Sequence, residues 1–421
     1  MAVYRKHARW CRGDDDPVPT DRTSRRPGPI TLLSLGHACV DIYQGAVAAL
    51  VPFFVAERAY SYAAAAGIVL AATVLSSVVQ PLFGALTDRW PMPWLLPTST
   101  LVGGVGVALA GVSGSYAFTL AVVAASGVGV AAYHPEAARA ARAASRGSHT
   151  AMGWFSLGGN LGFAAAPLMV SAVIATGGLH ASPLLVVPAL AGAALCVAAL
   201  RGITKPATAT AAARPNHAAV QDDWAAFMKL SGAIVFRSIV FVGLSAFISL
   251  YVRQRTGGGD VSGTVALFIL YLGGAVGTVA GGRLATRFGR LPVVRWSYAL
   301  TVLAVAGVVF VPGPPLFVFV ALTSAGLYVP FSLHITLGQD YLPRHVGTAS
   351  GVTLGLTISI GGIASPIIGA VADATSLQTG LAPLIALPAV GWFLLRTLQE
   401  PDRLEAPTDQ RQAPTEIFAD D

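Results

Sequence analysis

Apolar runs of about 20 residues recur along the whole chain, and a helix of that length spans the hydrocarbon core of a bilayer. Only 11% of the 421 residues are charged, whereas a soluble domain has about 25%. Lipid offers the backbone no hydrogen bonds, so membrane spans are helices or closed barrels. Because the runs do not alternate strictly between apolar and polar residues, they favour helices. The sequence therefore predicts an all-α membrane protein.

We predict twelve transmembrane helices, which lie near residues 30–55, 63–86, 94–112, 116–137, 150–176, 181–200, 229–252, 263–286, 292–311, 315–338, 347–372 and 378–397. Polar segments frame them. Residues 1–29 and 398–421 are predicted cytoplasmic tails, and residues 201–228 are a predicted cytoplasmic linker. The linker separates two predicted six-helix bundles, at 30–200 and 229–397.

The positive charges predict how the helices are oriented. If the N-terminus is cytoplasmic, 23 of the 27 Lys and Arg lie in cytoplasmic segments, only Arg58, Arg253 and Arg255 lie outside, and Arg237 lies within a span. Cytoplasmic loops of membrane proteins carry such an excess. Topology therefore explains the net charge of +7 without a nucleic-acid partner. We predict a monomeric, multi-pass protein of the inner membrane with both termini in the cytoplasm.

The two halves of the chain repeat each other at an offset of about 198 residues. Gly84 then aligns with Gly282, Arg89 with Arg287, and "FGALTDRW" with "GGRLATRF". "HTAMG" matches "GTASG" near the same offset. Duplicated halves in a polytopic membrane protein are typical of transporters whose site lies between the halves near the midplane. The repeat therefore predicts a carrier built from two pseudo-symmetric bundles.

Ionisable side chains inside the first span are the strongest candidates for a site. His37 and Asp41 are four residues apart and share a helix face, which Gln44 continues. At a rise of about 1.5 Å per residue, Asp41 lies about 16 Å into the membrane. Ionisable groups at that depth usually face the protein interior or a water-filled cavity. We interpret Asp41 as a proton or substrate switch with His37 as its partner; the alternative is a fixed polar pair that pins helix contacts.

Three other spans contribute candidates for proton coupling or substrate binding. The fourth span contains Tyr133, His134 and Glu136, although Glu136 has the alternative of pairing with a nearby arginine at the membrane edge. Arg237, inside the seventh span, is the natural partner of an anionic substrate, because guanidinium suits planar anions; the alternative is a side chain that extends to the inner surface. His334 lies in the tenth span and is either a site residue or a core histidine.

Several segments resemble known transporters. "GALTDR" and "GGRLATRFGR" resemble the paired loop signatures of the major facilitator superfamily. "GHACVDIYQGAVAALVPF", "SSVVQPLFGALTDR", "YHPEAARAA" and "GWFSLGGNLGFAAAPL" resemble its fosmidomycin-resistance branch. The resemblance implies two bundles, alternating access and proton-coupled efflux of a drug or small organic anion. It also implies a conformational gate at Gly84, Asp88, Arg89 and Arg287, where Asp88 contacts the start of the eleventh span and Gly84 permits close approach.

The predicted function is therefore secondary active transport, specifically proton-coupled efflux of a fosmidomycin-like anion. The chain has no ATP-binding P-loop, so the proton gradient is the predicted energy source and no cofactor is required. The alternative is a proton-coupled uptake symporter for an organic acid or sugar. An intramembrane enzyme is disfavoured, because no metal-binding His-Glu-x-x-His run exists. A non-transporting sensor with the same fold is a minor alternative.

Overall fold

The computed structural model describes residues 28–145, 148–203 and 221–401, with the side chains of residues 77–78, 88, 149–150 and 354–359 left outside the description. The first half forms helices α1 to α6, with a 3₁₀ segment at Gly178–Val186 ahead of α6. These helices are α1 Pro29–Arg58, α2 Tyr62–Arg89, α3 Leu95–Leu109, α4 Tyr116–Ser145, α5 His149–Ile174 and α6 Val187–Gly202.

The second half forms helices α7 to α14, which are α7 Trp224–Thr256, α8 Gly259–Phe288, α9 Arg290–Phe310, α10 Leu316–Tyr328, α11 Phe331–Tyr341, α12 Val346–Ala374, α13 Leu377–Leu381 and α14 Ala386–Arg396. Ten helical segments are long and apolar enough to cross a membrane, and Leu95–Leu109 and Ile360–Ala374 are shorter apolar helices. Together they match the twelve predicted spans and confirm the all-α membrane fold. The predicted linker falls mostly outside the described residues.

The tenth predicted span is divided rather than continuous. Helix α10 ends at Tyr328 and α11 begins at Phe331, with Pro330 between them. Proline has no N–H to donate, and its ring clashes with the preceding turn, so it can end a helix. Val329 and Pro330 keep right-handed helical backbone angles, so α10 and α11 still form one apolar span, Leu316–Tyr341. Tyr328 and Phe331 lie on either side of the turn.

Helices α1 and α5 pack closely because small residues face each other. A Cβ atom at Gly158 would clash with the Ser34 carbonyl, and one at Gly162 with the Ala38 carbonyl. At Gly45, a Cβ atom would lie 2.7 Å from the Phe163 carbonyl oxygen. Small residues let helix backbones approach within a membrane. This packing fixes α1, and therefore Asp41, against α5.

We name the two ends of the molecule from the distribution of positive charges. We call the end with Arg89 and Arg287 the inner end, and the end with Arg58 and Arg253 the outer end. At the outer end, both carboxylate oxygens of Asp373, on α12, accept hydrogen bonds from the first turn of α2. The donors are the N–H groups of Tyr62 (2.7 Å) and Ala63 (2.9 Å). This contact joins the two bundles.

The inner ends of α2 and α12 do not approach each other in the same way. Among the described residues, a Cβ atom at Gly84 on α2 would meet nothing within 4 Å, and the same holds for Gly347 and Gly351 on α12. The described residues therefore show no close approach at Gly84 in this conformation, and its part in a gate stays a prediction. Among these residues, Asp373 joins α12 to α2 at the outer end, while the three glycines leave the inner ends of the two helices uncovered.

Candidate functional site

Two elements bring a histidine to each side of the Asp41 carboxylate. His37 lies one turn before Asp41 on α1, and its Nε2 is 3.2 Å from Asp41 Oδ2. His134 comes from α4, and its Nε2 is 3.1 Å from Asp41 Oδ1. The side chain of Asp41 is only 12% exposed. We call these three residues the His–Asp–His cluster.

Backbone carbonyls fix which ring nitrogen of each histidine carries a hydrogen. His37 Nδ1 is 2.9 Å from the Phe155 oxygen, and His134 Nδ1 is 2.7 Å from the Val130 oxygen. A carbonyl oxygen only accepts, so each Nδ1–H donates. In a neutral imidazole, Nε2 then carries a lone pair instead of a hydrogen. This lone pair faces an oxygen of the Asp41 carboxylate, and both atoms are hydrogen-bond acceptors. Each N···O contact in the cluster therefore becomes a hydrogen bond only when a proton is added.

The surroundings hold the cluster in place. The Phe155 ring stacks on the His37 ring, with centroids 4.3 Å apart. Gly159, on α5, lies directly against the cluster, because a Cβ atom there would be 2.5 Å from Asp41 Oδ2 and 2.6 Å from His37 Cε1. Only glycine fits that position while the two side chains keep this arrangement.

The same three side chains offer ligands of the type that zinc accepts. Their ligand atoms all lie within 4.8 Å of one another. The separations of 3.1 and 3.2 Å are also hydrogen-bond distances. We interpret the cluster as a proton site, because each carboxylate oxygen is directed at one imidazole nitrogen.

Glu136 is separated from His134, although the two lie in the same sequence motif. Its carboxylate is fully buried and forms an ion pair with Arg139, whose Nε is 2.9 Å from Glu136 Oε2. This is the arrangement that the alternative interpretation of Glu136 describes. Residues two apart on a helix point in different directions, so His134 reaches Asp41 while Glu136 does not.

A cavity lies between the two bundles, next to the cluster. It encloses about 1090 Å³ of space between atoms, including the part that is open to solvent. Among the described residues, the only charged side chains that line it are Asp41, from α1, and Arg237, from α7. Gln44 also lines the cavity. The predicted residues Asp41, Gln44 and Arg237 therefore share one space.

Arg237 is positioned by its neighbours in the second half. Its side chain is buried, and Nη1 donates a 2.8 Å hydrogen bond to the Leu327 carbonyl near the end of α10. The guanidinium carbon is 5.5 Å from the centroid of the Phe331 ring. Its position at the cavity wall is unlike that of a side chain that extends to the inner surface.

Aromatic side chains form much of the cavity wall, and sequence reasoning missed most of them. The ring centroids of Phe163, from α5, and Tyr271, from α8, are 4.2 Å apart. The ring centroids of Phe241, from α7, and Tyr328, from α10, are 5.4 Å apart. Phe331 completes a set that lines the cavity from both halves. One signal was available, since Phe241 is four residues after Arg237 on the same helix face.

Two other predicted residues lie away from the cavity lining. Tyr133 is fully buried, with its hydroxyl 3.9 Å from Cys196 Sγ and its ring 6.0 Å from that of His37. His334 is buried, with its ring 5.8 Å from that of Tyr298. Neither nitrogen of His334 has a hydrogen-bond partner among the described residues. Both residues belong to the packing around the site.

The predicted gate residues lie at the inner end. Arg89 is exposed and its guanidinium carbon lies 4.8 Å from the Trp90 ring. Arg287 is also exposed, and its guanidinium carbon lies 5.1 Å from the centroid of the Phe288 ring. The side chain of Asp88 lies outside the description, so its predicted contact stays a prediction.

Comparisons with known proteins agree with this architecture. Residues 33–366 match the family model described as Major Facilitator Superfamily. The fosmidomycin resistance protein of Escherichia coli (strain K12) is 28% identical over 381 residues, which cover 87% of this chain and 92% of that protein. The uncharacterized MFS-type transporter YfnC of Bacillus subtilis (strain 168) is 28% identical over 396 residues, which cover 88% and 94%.

Solved structures share the fold at low sequence identity. A bacterial homolog of the human lysosomal transporter Spinster, in an inward-facing and occupied conformation, has a TM-score of 0.72 at 15% identity, covering 87% of this chain and 95% of that one. The nucleoside transporter NupG has a TM-score of 0.68 at 15% identity, covering 87% and 98%. The family match spans most of the chain, and the fold agrees with it. The protein belongs to the Major Facilitator Superfamily of membrane transporters.

Proposed function

We propose that the protein exports a small organic anion in exchange for protons across the bacterial inner membrane. The observation that carries the proposal is the His–Asp–His cluster, which borders a cavity lined from the other bundle by Arg237. Membership of a transporter family supports movement of a solute. The similarity to a fosmidomycin resistance protein supports efflux of a fosmidomycin-like compound.

In this proposal Asp41 carries the proton. A charged carboxylate inside a membrane is costly, and a proton shared with either imidazole lowers that cost. The substrate binds with its acidic group at Arg237, and an N–H or O–H group at its other end donates to Asp41. That donor takes the place of the proton, so proton and substrate compete for one carboxylate. Competition of this kind gives exchange transport.

Electrostatics supports one alternative, which is proton-coupled uptake of an organic acid. An anion at Arg237 attracts positive charge to the nearby cluster, since opposite charges stabilise each other in a low-dielectric site. Substrate and proton would then bind together rather than compete. The sign of proton exchange on substrate binding separates the two functions, because antiport requires release and symport requires uptake.

The direct test is accumulation of radiolabelled fosmidomycin in everted membrane vesicles, with and without an acidic interior. Wild type should accumulate the compound only with the gradient, and Asp41→Asn should lose this accumulation. Asp260→Asn is a matched control, because Asp260 pairs with Arg253 within one bundle at the outer end. Gradient-driven accumulation that survives in Asp41→Asn would remove Asp41 from the coupling step.

A further inference from the structure

We infer that the anions bound most tightly by this transporter carry an aromatic ring, which binds against Phe241 and Tyr328 while the acidic group binds Arg237. The inference rests on the proposed function, because it names the substrate class of the same cavity. It goes beyond an organic anion in general. A short phosphonate such as fosmidomycin can bind at Arg237, and an aromatic anion binds more tightly because it also covers the ring faces.

Charge fixes one end of the substrate. Of the two charged side chains among the described cavity residues, Arg237 is the cation. Its planar fork of N–H groups matches a carboxylate, sulfonate or phosphonate. The Leu327 carbonyl holds the guanidinium against α10. An acidic group bound there points the rest of the molecule into the cavity.

Ring faces surround that anchor. Phe241 lies one helical turn after Arg237, and its ring meets the Tyr328 ring at 77°. On the other side, the Phe331 ring centroid is 5.5 Å from the Arg237 guanidinium carbon. These rings line open space instead of being wholly covered by protein. A planar aromatic ring can stack on or meet their edges, as aromatic pairs prefer.

The aromatic wall also connects the two bundles. Phe163, from the first half, packs within 4.2 Å of Tyr271, from the second half, measured between ring centroids. A ring placed among these side chains contacts both halves at once. Its binding therefore depends on how the halves are arranged, which is a property that an alternating-access substrate requires. A short polar anion would contact Arg237 but leave this surface facing water.

The test compares two ligands with the same carbon skeleton and charge, 6-hydroxynaphthalene-2-sulfonate and its saturated analogue 6-hydroxydecahydronaphthalene-2-sulfonate. Each carries a hydroxyl group that can donate to Asp41. Sulfonates stay ionised, so neither crosses the membrane as a neutral acid. Calorimetry on the purified full chain should give a Kd at least tenfold lower for the aromatic ligand. Phe241→Leu should reduce that ratio to about two or less, while Phe241→Tyr should retain it. Phe393→Leu is the matched control, since the Phe393 side chain is 58% exposed and does not line the cavity.

Equal Kd values in wild type, or no binding of either ligand, would overturn the inference. A preference that survives both Phe241→Leu and Phe163→Leu would overturn the assigned position of the ring. The proposed function can fail separately. If the protein binds the aromatic ligand more tightly but a proton gradient drives flux of neither ligand, proton coupling is contradicted and the aromatic preference stands. Gradient-driven export of fosmidomycin by a protein that binds both sulfonates equally contradicts the aromatic substrate alone.

Discussion

Asp373→Asn should shift the transporter away from the conformation described here. Asp373 lies in the last turn of α12, and its carboxylate binds the N–H groups of Tyr62 and Ala63 in the first turn of α2. The first N–H groups of a helix have no carbonyl partner within it. When the outer end opens, α2 and α12 separate and this contact is lost. The contact therefore stabilises the conformation in which the outer end is closed.

The size of the shift follows from the two hydrogen bonds. A hydrogen bond to a charged group contributes about 1.5–3 kcal/mol, and a negative charge at a helix N-terminus about 0.3–1 kcal/mol. Asparagine keeps one acceptor oxygen, and position 373 is exposed to solvent, so we expect a loss of about 1–2 kcal/mol. That loss changes the ratio of outer-closed to outer-open molecules about 5- to 30-fold.

Double electron–electron resonance measures this ratio. Spin labels at Leu82→Cys on α2 and Gly351→Cys on α12 report the inner-end distance, in a chain whose native cysteines are replaced by alanine. Both positions are exposed. The ratio of long to short distances should fall 5- to 30-fold in Asp373→Asn and stay unchanged in Asp260→Asn. An unchanged ratio in Asp373→Asn would refute the role of this contact.

Gly159→Ala puts a methyl group against Asp41, so it should abolish gradient-driven flux while circular dichroism still shows a helical protein; full flux would contradict the tight fit. His134→Gln removes one imidazole from Asp41 and should shift the pH profile of flux, whereas an unchanged profile would count against the cluster. Glu136→Gln breaks the ion pair with Arg139 and should lower the free energy of unfolding by about 1–3 kcal/mol, a moderate loss because Arg139 is partly exposed. A melting curve measures that loss, and a flux assay should show an unchanged pH profile. Arg237→Lys loses the planar guanidinium group, so calorimetry should show a Kd for fosmidomycin about tenfold higher than that of wild type.

The fold could be predicted because the length and apolarity of each span are local properties of the sequence. The break at Pro330 could not be predicted in the same way. Prolines elsewhere stay inside continuous helices, namely Pro52, Pro81, Pro135, Pro167 and Pro366. Whether a proline bends or ends a helix depends on which neighbours satisfy the freed carbonyl groups. That information lies in tertiary packing.

The site was predictable in part. The spacing of His37 and Asp41 placed them on one helix face, and the structure has them in contact. The contact of His134 with Asp41 joins two helices, so no spacing within one span predicts it. The sequence grouped His134 with Glu136, whereas the structure separates them.

Two further features were missed for a physical reason. Aromatic residues such as Phe241 occur in an apolar span, where lipid contact, core packing and a cavity wall all favour the same residue type. Asp373 lies at a span end, where a charge is ordinary. Its importance comes from the α2 N-terminus opposite it, which is remote in sequence.

In the proposed antiport, substrate and proton compete for Asp41. The most direct measurement is the proton exchange that accompanies ligand binding to purified protein in weakly buffered solution, followed with a pH indicator. Fosmidomycin and 6-hydroxynaphthalene-2-sulfonate are the ligands, and Asp41→Asn is the comparison. We expect about one proton to be released per ligand bound by wild type and none by Asp41→Asn. Proton uptake by wild type would contradict antiport and support the uptake symporter, and equal release by both proteins would contradict the assignment to Asp41.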